Sequence, residues 1–237
     1  MTNIRLDKLV SQSLGLTRND AKALINNRKI IVNGCVVRDS SCKVSEKDEV
    51  FYDGNKLLYE ENIYLMMNKP KDYVCSTDDK YNRTVLELIK GYNIKKLMIV
   101  GRLDIDTIGL LLVTSDGAFV HKLTSPNNYI EKKYYVCCDK EFENEDILSF
   151  SNGITIYLDK DTEYKCKSAK LEILNNRNEA YITISEGKFH QVKKMCSAVG
   201  KKVLVLKRVE IGKLKLDPAL KEGEYRALTS EEVEMFI

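Results

Sequence analysis

Three charged side chains stand directly in front of an apolar run in the segment GRLDIDTIGLLLVTSDG, residues 101–117. On an extended segment, Arg102, Asp104 and Asp106 would share one face, which would carry two carboxylates and a guanidinium. Three uses fit such a face: a structural ion pair, an acid–base pair like that of glycoside hydrolases, and one aspartate nucleophile held by a cation. Most perturbed Arg–Asp pairs are not catalytic, so the residue types alone favour the structural pair.

The rest of the composition gives little support to metal chemistry. The chain has seven cysteines without a CxxC pair and two histidines, so a zinc site is not predicted. A hydrolase that held a metal on Asp104 and Asp106 would need further carboxylates or histidines in company, and no such cluster stands out. We therefore predict no metal and no cofactor.

The expected location is the cytoplasm. Cysteines that are odd in number and form no framework favour a reducing compartment. The first residues, MTNIRLDKLV, lack the apolar core of a signal peptide. Because no apolar run approaches the length of a membrane span, we expect a soluble protein without membrane contact, and a monomer by default.

Basic charge is concentrated in two patches. Residues 1–58 contain 10 Lys and Arg against 7 Asp and Glu, whereas the rest of the chain is neutral overall. Within that neutral part, residues 188–208 carry seven basic side chains and no acidic one. Such clustering is typical of nucleic-acid contact, although a net charge of +3 does not by itself require it.

The first 58 residues are predicted to form a small α+β module. Apolar spacing in RLDKLVSQSLG and LTRNDAKALINNRKI predicts two helices, the first ending at Gly15 and the second capped by Thr17. The segment KIIVNGCVVR predicts a β-hairpin around Asn33-Gly34, and DEVFYDG predicts a further strand. The segments RLDKLV, TRNDAKALI and IIVNGCVV resemble those of the S4 RNA-binding domain.

The S4 resemblance implies that the second helix and the hairpin hold structured RNA. The phosphate contacts it implies are Arg5, Lys8, Arg18, Lys22, Arg28 and Lys29. Any one of these side chains is more simply explained as a solvated charge on a helix. The whole cluster, taken with the family pattern, favours RNA.

Residues 59–237 are predicted to form a second, larger domain after the charged linker KLLYEEN. Strands are predicted in YLMMNKP, KLMIVGRLD, GLLLVTSDG, KKYYVCC, GITIYL, KLEILN, EAYITISEG and KKVLVLKRVEIG, and helices in TVLELI and QVKKMCSAVG. Asp116-Gly117 predicts a hairpin turn after one of these strands. Many strands with few helices between them predict an α+β domain with a largely antiparallel mixed sheet, flanked by a few helices.

Three segments behind the S4-like module resemble the S4-containing pseudouridine synthases that modify ribosomal RNA: YLMMNKPKDYVCSTDD, GRLDIDTIGLLLVTSDG and EGKFHQVKKMCSAVGKKVLVLKRVEIG. The resemblance covers essentially the whole chain and implies that Asp104 is the catalytic residue. In the implied reaction, the N1–C1′ bond of uridine breaks, the uracil turns, and C5 bonds to C1′ with loss of one proton. No redox cofactor is needed. Whether Asp104 attacks C1′ or removes a ribose proton stays open.

The resemblance also implies partners for the Asp104 carboxylate. Lys193 in HQVKKM is the implied cation that favours its ionised form, with Lys194 as a competing choice. Tyr134 in EKKYYV is implied to stack on the uracil. Its neighbour Tyr135 points to the opposite face of the strand, so one of the two enters the site.

Arg102 is implied to act when the target uridine leaves the RNA stack. Extrusion of a nucleotide costs a few kcal/mol, and Arg102 would fill the vacated space or hold a phosphate. A simple pairing of Arg102 with Asp106 is the structural alternative.

Three details resemble synthases of the small-subunit type: FYDGNKL, DYVCSTDD, and EGKFHQVKKM together with LKEGEYRALTSEEV. They imply one uridine of small-subunit (16S) ribosomal RNA as substrate, either naked or in an assembly intermediate. Two alternatives stay open, namely a large-subunit (23S) synthase and an RNA-binding ribosome-assembly factor without catalysis. The presence of Asp104, Tyr134 and Lys193 together favours an enzyme over the assembly factor.

Overall fold

The computed structural model describes residues 4–45, 47–57, 62–158 and 162–236. The chain divides into two units, Met1–Asn62 and Ile63–Ile237. The predicted boundary between residues 58 and 59, like most of the predicted linker, lies outside the described residues. Each unit has its own apolar core, so each is described by itself.

The N-terminal unit packs two helices against short antiparallel strands. Its elements are β1 (Ile4–Arg5), α1 (Leu6–Leu14), α2 (Arg18–Asn26), β2 (Ile30–Val32), β3 (Cys35–Val36), β4 (Lys43–Val44), β5 (Val50–Tyr52) and β6 (Asn55–Leu57). The predicted hairpin is confirmed, because β2 pairs with β3 and both Asn33 and Gly34 have positive φ. The predicted end of α1 is also confirmed: Gly15 is left-handed, and its N–H donates to the carbonyl of Ser11.

The C-terminal unit is built on a nine-stranded sheet. Its strands are β7 (Tyr64–Lys69), β8 (Met98–Val100), β9 (Ile108–Thr114), β10 (Lys132–Cys138), β11 (Thr155–Tyr157), β12 (Glu163–Lys165), β13 (Lys170–Ile173), β14 (Glu179–Ile184), β15 (Val203–Ile211), β16 (Leu214–Lys215) and β17 (Tyr225–Ala227). The sheet runs in the order β13-β14-β10-β15-β9-β7-β17, with β8 also on β9 and β16 also on β15, while β11 and β12 pair separately.

The described residues of this unit also form the α-helices α3 (Gly117–Thr124), α4 (Asn144–Asn152), α5 (Gln191–Ala198) and α6 (Ser230–Glu234). Single 3₁₀ turns occur at Val85–Leu88, Ile94–Lys96 and Pro126–Asn128. The predicted α+β class with a largely antiparallel mixed sheet is confirmed. In the part of the chain that the structure describes, no helix is long and apolar enough to span a membrane.

One parallel pairing organises the centre of the sheet. Strands β9 and β15 run in the same direction, with Lys207 opposite Ile108 and Arg208 opposite Gly109, whereas the other pairings of the described sheet are antiparallel. The segment in front of β9 is thereby brought to helix α5, which precedes β15. Two stretches of chain about a hundred residues apart meet there, and both carry predicted site residues.

Two local predictions are wrong. Asp116-Gly117 does not form a hairpin turn: Asp116 is the N-cap of α3, and its side chain accepts a hydrogen bond from the N–H of Ala118. An aspartate before a glycine serves either role, and here the following residues Phe119 and Leu123 bury one helical face. The helix predicted in TVLELI is a single 3₁₀ turn, capped by Thr84 and Glu87.

Gly109→Ala is expected to destabilise the chain strongly. Gly109 has a φ of +102°, and a Cβ there would lie 2.3 Å from the carbonyl oxygen of Arg208 on the paired strand. Backbone strain alone costs about 1–3 kcal/mol, and separation of the parallel strands adds to it. Urea unfolding measures the change. Gly117→Ala is the control, since its Cβ would meet nothing closer than 3.8 Å; equal midpoints for the two variants would contradict this account.

Candidate active site

The segment that joins β8 to β9 carries Asp104, and it is a turn. The N–H of Thr107 donates to the carbonyl of Asp104 at 3.1 Å, which closes the chain on itself. The prediction that Arg102, Asp104 and Asp106 share one face of an extended segment is therefore wrong. The turn nevertheless directs both carboxylates toward the same cation, Lys193.

Lys193 lies between the two aspartates. Its Nζ is 3.1 Å from Oδ2 of Asp104 and 2.5 Å from Oδ1 of Asp106. The side chains of Asp104 and Lys193 are 25% and 23% exposed, so water screens their interaction less than at an open surface. Asp106 has Lys193 as its partner, and this arrangement leaves Arg102 exposed in front of the turn.

Lys193 and Asp106 stabilise each other's charged forms. Burial lowers the pKa of Lys193, but its bonds to Asp106 and Asp104 outweigh burial and raise that pKa above the ordinary value. Burial raises the pKa of Asp106, and Lys193 outweighs it, so that pKa falls. The contribution of Lys193 to the free energy of unfolding is lost as pH rises through its raised pKa. The contribution of Asp106 is lost as pH falls through its lowered pKa.

Helix α5 decides which lysine reaches Asp104. Its buried residues include Val192, Met195 and Cys196, and this buried face fixes the rotation of the helix. Lys194 consequently points elsewhere, and its Nζ donates to the carbonyl of Leu158 at 2.9 Å. Of the two lysines that the sequence left in competition, the structure brings Lys193 to the carboxylate.

Tyr134 and Asp104 line the same narrow cavity, which has a volume of about 80 Å³. Tyr134 lies on β10 and is 9% exposed, so its ring forms a wall of this cavity. Tyr135 lies on the other face of the strand, where its ring packs edge-on against Tyr181 with centroids 6.1 Å apart. The expectation that one of the two tyrosines enters the site agrees with this alternation.

A wider groove of about 640 Å³ adjoins the narrow cavity. Arg102 and Asp104 line both spaces, so the carboxylate stands where a large opening meets a small pocket. A nucleotide could enter the groove and present its base to the ring of Tyr134. Arg102 is exposed where the groove meets the pocket, and its contact with RNA stays a prediction.

His190 is a site residue that sequence reasoning did not assign. Its Nε2 lies 3.5 Å from Oδ1 of Asp104, and its ring stacks on that of Phe189 with centroids 3.8 Å apart. His190 is the N-cap of α5 and has a φ of 54°. A lone histidine in a basic segment gives no signal of this position, because the left-handed backbone that aims it is a tertiary feature.

Lys69 contacts the Asp104 turn from the buried side. It is fully buried at the end of β7, and its Nζ donates to the carbonyls of Pro70, Ile105 and Thr107 at 3.0, 3.3 and 2.9 Å. Burial lowers the pKa of Lys69. A lysine that follows the buried strand residues 65–67 and Asn68 is the signal that could have marked it, since a buried cation needs acceptors.

The six predicted RNA contacts of the N-terminal unit do not share one environment. Arg5 and Arg18 both bind Asp7, at 2.8 and 2.7 Å, and the Asp7 side chain is fully buried. Burial raises the pKa of Asp7, and the two arginines outweigh it and lower that pKa. Both arginine side chains are 47% exposed, so they also face solvent. Lys8 and Lys22 are half-buried on the two helices, whereas Arg28 and Lys29 are exposed after α2.

No group of three or more His, Cys, Asp or Glu side chains among the described residues is arranged to hold a metal ion. The two aspartates have Lys193 as their cationic neighbour, and the ring of His190 lies beside Asp104. The arrangement offers an aimed carboxylate, a cation that pairs with it and an aromatic wall. These groups can perform nucleophilic or proton-transfer chemistry on a planar ring and its attached sugar.

Comparisons with known proteins agree over the whole chain. The RNA pseudouridylate synthase family matches residues 63–198, and the S4 domain matches residues 4–50. The ribosomal small subunit pseudouridine synthase A of Haemophilus influenzae is 40% identical over 99% of this chain and 100% of its own. The protein of the same name from Escherichia coli strain K12 is 42% identical over 97% and 98% of the two chains. A crystal structure of pseudouridylate synthase with 40% identity covers 99% of this chain and 100% of its own, with a TM-score of 0.70.

Proposed function

Since the chain belongs to the RNA pseudouridylate synthase family, we propose that it converts one uridine of small-subunit ribosomal RNA to pseudouridine. The observation that carries this proposal is the Asp104 carboxylate, which lines a cavity with Tyr134 and is bonded to Lys193. The relatives named for the small ribosomal subunit support the choice of RNA. A cytoplasmic location and a monomeric state stay predictions.

Asp104 acts on the ribose of the target uridine. Its carboxylate attacks C1′ or removes a ribose proton, and by either route the electrons of the N1–C1′ bond pass to the uracil. The uracil turns against the ring of Tyr134, and C5 bonds to C1′ as the Asp104–C1′ ester breaks or, on the other route, as the ribose regains its proton. C5 then loses its proton and N1 takes one up, so the product is an isomer of uridine. Lys193 pairs with the carboxylate and holds it in place, so the chain supplies orientation and charge for a reaction that adds no atoms.

Arg102 and the N-terminal unit bind the RNA around the target. Arg102 is exposed at the mouth of the groove, where it takes the place of the flipped uridine or holds a phosphate. Arg5, Lys8, Arg18, Lys22, Arg28 and Lys29 contact phosphates through the S4 domain. Binding that depends on these contacts weakens steeply as salt is added.

The first experiment asks which RNA is turned over. Small-subunit RNA labelled with tritium at uracil C5 is offered naked and as a partly assembled particle, beside large-subunit RNA, and tritium release is followed with EDTA present. Release from one position of small-subunit RNA, mapped by carbodiimide-dependent stops in reverse transcription, is the expected result. Release from large-subunit RNA alone would overturn the choice of substrate. Tight binding without release from any RNA would favour the assembly factor.

Lys193→Gln is expected to lower the rate of tritium release by about 10²-fold, because its loss leaves Asp104 without its cation. Lys194→Gln is the matched control, since it removes the same charge from the adjacent residue, whose Nζ contacts the carbonyl of Leu158. Single-turnover rates with saturating RNA measure the difference. Equal rates for the two variants would contradict the assignment of Lys193.

A further inference from the structure

Arg208 is a buried cation without an anionic partner among the described residues. It lies on β15, is 4% exposed, and its Nε donates to the carbonyl of Leu110 at 2.7 Å. Its Nη2 is buried without a hydrogen-bond partner, and among the described residues the guanidinium forms no ion pair with a carboxylate. A buried charge is expected to be paired, because removing it from water is costly. Among the described residues Arg208 is therefore left without a counter-ion, and a bound anion would supply one.

Arg208 lines a second cavity, of about 280 Å³, which we call the Arg208 cavity. Lys132, on the neighbouring strand β10, lines it too and is half-buried. Burial lowers the pKa of Lys132, and the nearby charge of Arg208 lowers it further. Two cations that repel each other are thus held side by side, and Lys132 likewise has no carboxylate partner among the described residues.

The remaining charges of the Arg208 cavity also favour an anion. Arg102, Lys167 and Lys188 line it, and the carboxylate that they face is that of Glu186. That carboxylate is already engaged by Tyr164, by the backbone N–H of Lys167 and by Gln191, at 2.6, 2.9 and 2.7 Å. It is therefore poorly placed to neutralise Arg208 as well. The excess of positive charge matches a phosphate group, which a guanidinium binds through two parallel hydrogen bonds.

The Arg208 cavity adjoins the cavity of Asp104. Tyr134 and Arg102 line both, and Tyr134 lies directly opposite Arg208 across the β10–β15 pair. A nucleotide whose base rests against Tyr134 near Asp104 would carry its backbone past this wall. We propose that the Arg208 cavity binds a backbone phosphate of the substrate RNA next to the target uridine, with Arg208 and Lys132 as its ligands. This inference rests on the proposed function for the identity of the anion.

The first test needs no catalysis and uses inorganic phosphate as the probe. The melting temperature of the full chain is compared in phosphate and in chloride at matched ionic strength. Phosphate is expected to raise the melting temperature of the wild type and of the control Lys140→Gln, whose lysine is exposed just after β10. The rise is expected to be smaller for Arg208→Gln and for Lys132→Gln. An equal rise in all four proteins would overturn the site. If Arg208→Gln does not fold, Lys132→Gln decides.

The second test uses the RNA substrate and compares KM with kcat. Arg208→Gln and Lys132→Gln are each expected to raise KM about tenfold and to reduce the salt slope of binding by about one, with a smaller change in kcat. Replacing the contacted phosphate by a neutral methylphosphonate should raise KM for the wild type. The same replacement should leave the already raised KM of Arg208→Gln unchanged. Unchanged KM and salt slope in both variants of an active enzyme would refute the RNA phosphate.

The two tests separate this inference from the proposed function. A wild type that releases no tritium but shows the predicted phosphate effect would refute the synthase proposal and keep an anion site. A wild type that turns over RNA, with variants that bind phosphate and RNA normally, would keep the synthase and refute the anion site.

Discussion

Asp104→Asn is expected to lower the rate of tritium release by about 10³-fold or more. The amide is neither a nucleophile for C1′ nor a base for a ribose proton, so both routes of the proposed reaction stop. The substitution keeps the size of the side chain, and Lys193 keeps its bond to Asp106. Folding and RNA binding should therefore survive. Single-turnover tritium release and filter binding with the same RNA measure the two effects separately.

Asp106→Asn is the matched control for Asp104→Asn. It removes the same charge from the same turn, and its side chain also bonds to Lys193 but is 62% exposed. A smaller loss of rate is expected, because this carboxylate helps to hold Lys193 and performs no step. Equal losses of the tritium-release rate in the two variants would show that the total charge of the turn matters and that Asp104 has no special role. A rate near that of the wild type in Asp104→Asn would refute its role outright.

Lys69→Met is expected to lower the rate of tritium release by about 10²-fold, because small displacements of a reacting group cost that much. Lys69 donates to the carbonyls of Ile105 and Thr107, on either side of Asp106. Methionine fills the space and leaves the buried carbonyl of Thr107 without its donor, whereas the carbonyl of Ile105 keeps the N–H of Asp72. The unsatisfied carbonyl costs about 1–3 kcal/mol of unfolding free energy. The turn should loosen, so kcat falls more than KM rises.

Lys71→Met controls for the loss of a positive charge near the turn. Lys71 is exposed two residues further along the chain, and its replacement should leave both stability and rate close to those of the wild type. Urea unfolding and single-turnover kinetics are measured for both variants. A Lys69→Met protein with normal kcat would show that Lys69 serves the strand and does not hold the turn.

The N-terminal unit was largely predictable because its signals are local. Asn33 and Gly34 both need positive φ in a tight hairpin, and Gly15 needs it at the end of a helix, so residue type and backbone shape are directly linked. The strands of the larger unit were predictable for a similar reason, since their apolar runs are long. The wrong hairpin at Asp116-Gly117 shows the limit, because the same two residues also begin a helix.

The site was less predictable, because tertiary contacts assemble it. The family resemblance named Asp104, Tyr134 and Lys193 as candidates, whereas the residue types around Asp104 had favoured a structural ion pair. Residue type alone does not distinguish Lys193 from Lys194, and the buried face of α5 explains why Lys193 is the one that reaches Asp104. No sequence pattern indicates that the Arg208 guanidinium is buried without a carboxylate partner among the described residues, since burial depends on strands that pair across the chain.

The parallel pairing of β9 with β15 has a consequence for how the protein is made. Asp104 precedes β9, Tyr134 lies on β10, and Lys193 and Arg208 belong to the last third of the chain. Contacts this distant in sequence form late, because the intervening chain must first lose its freedom. During synthesis, the N-terminal unit therefore emerges from the ribosome and folds first, whereas the site forms only after β15 has emerged. Nascent chains should bind RNA before they can modify it.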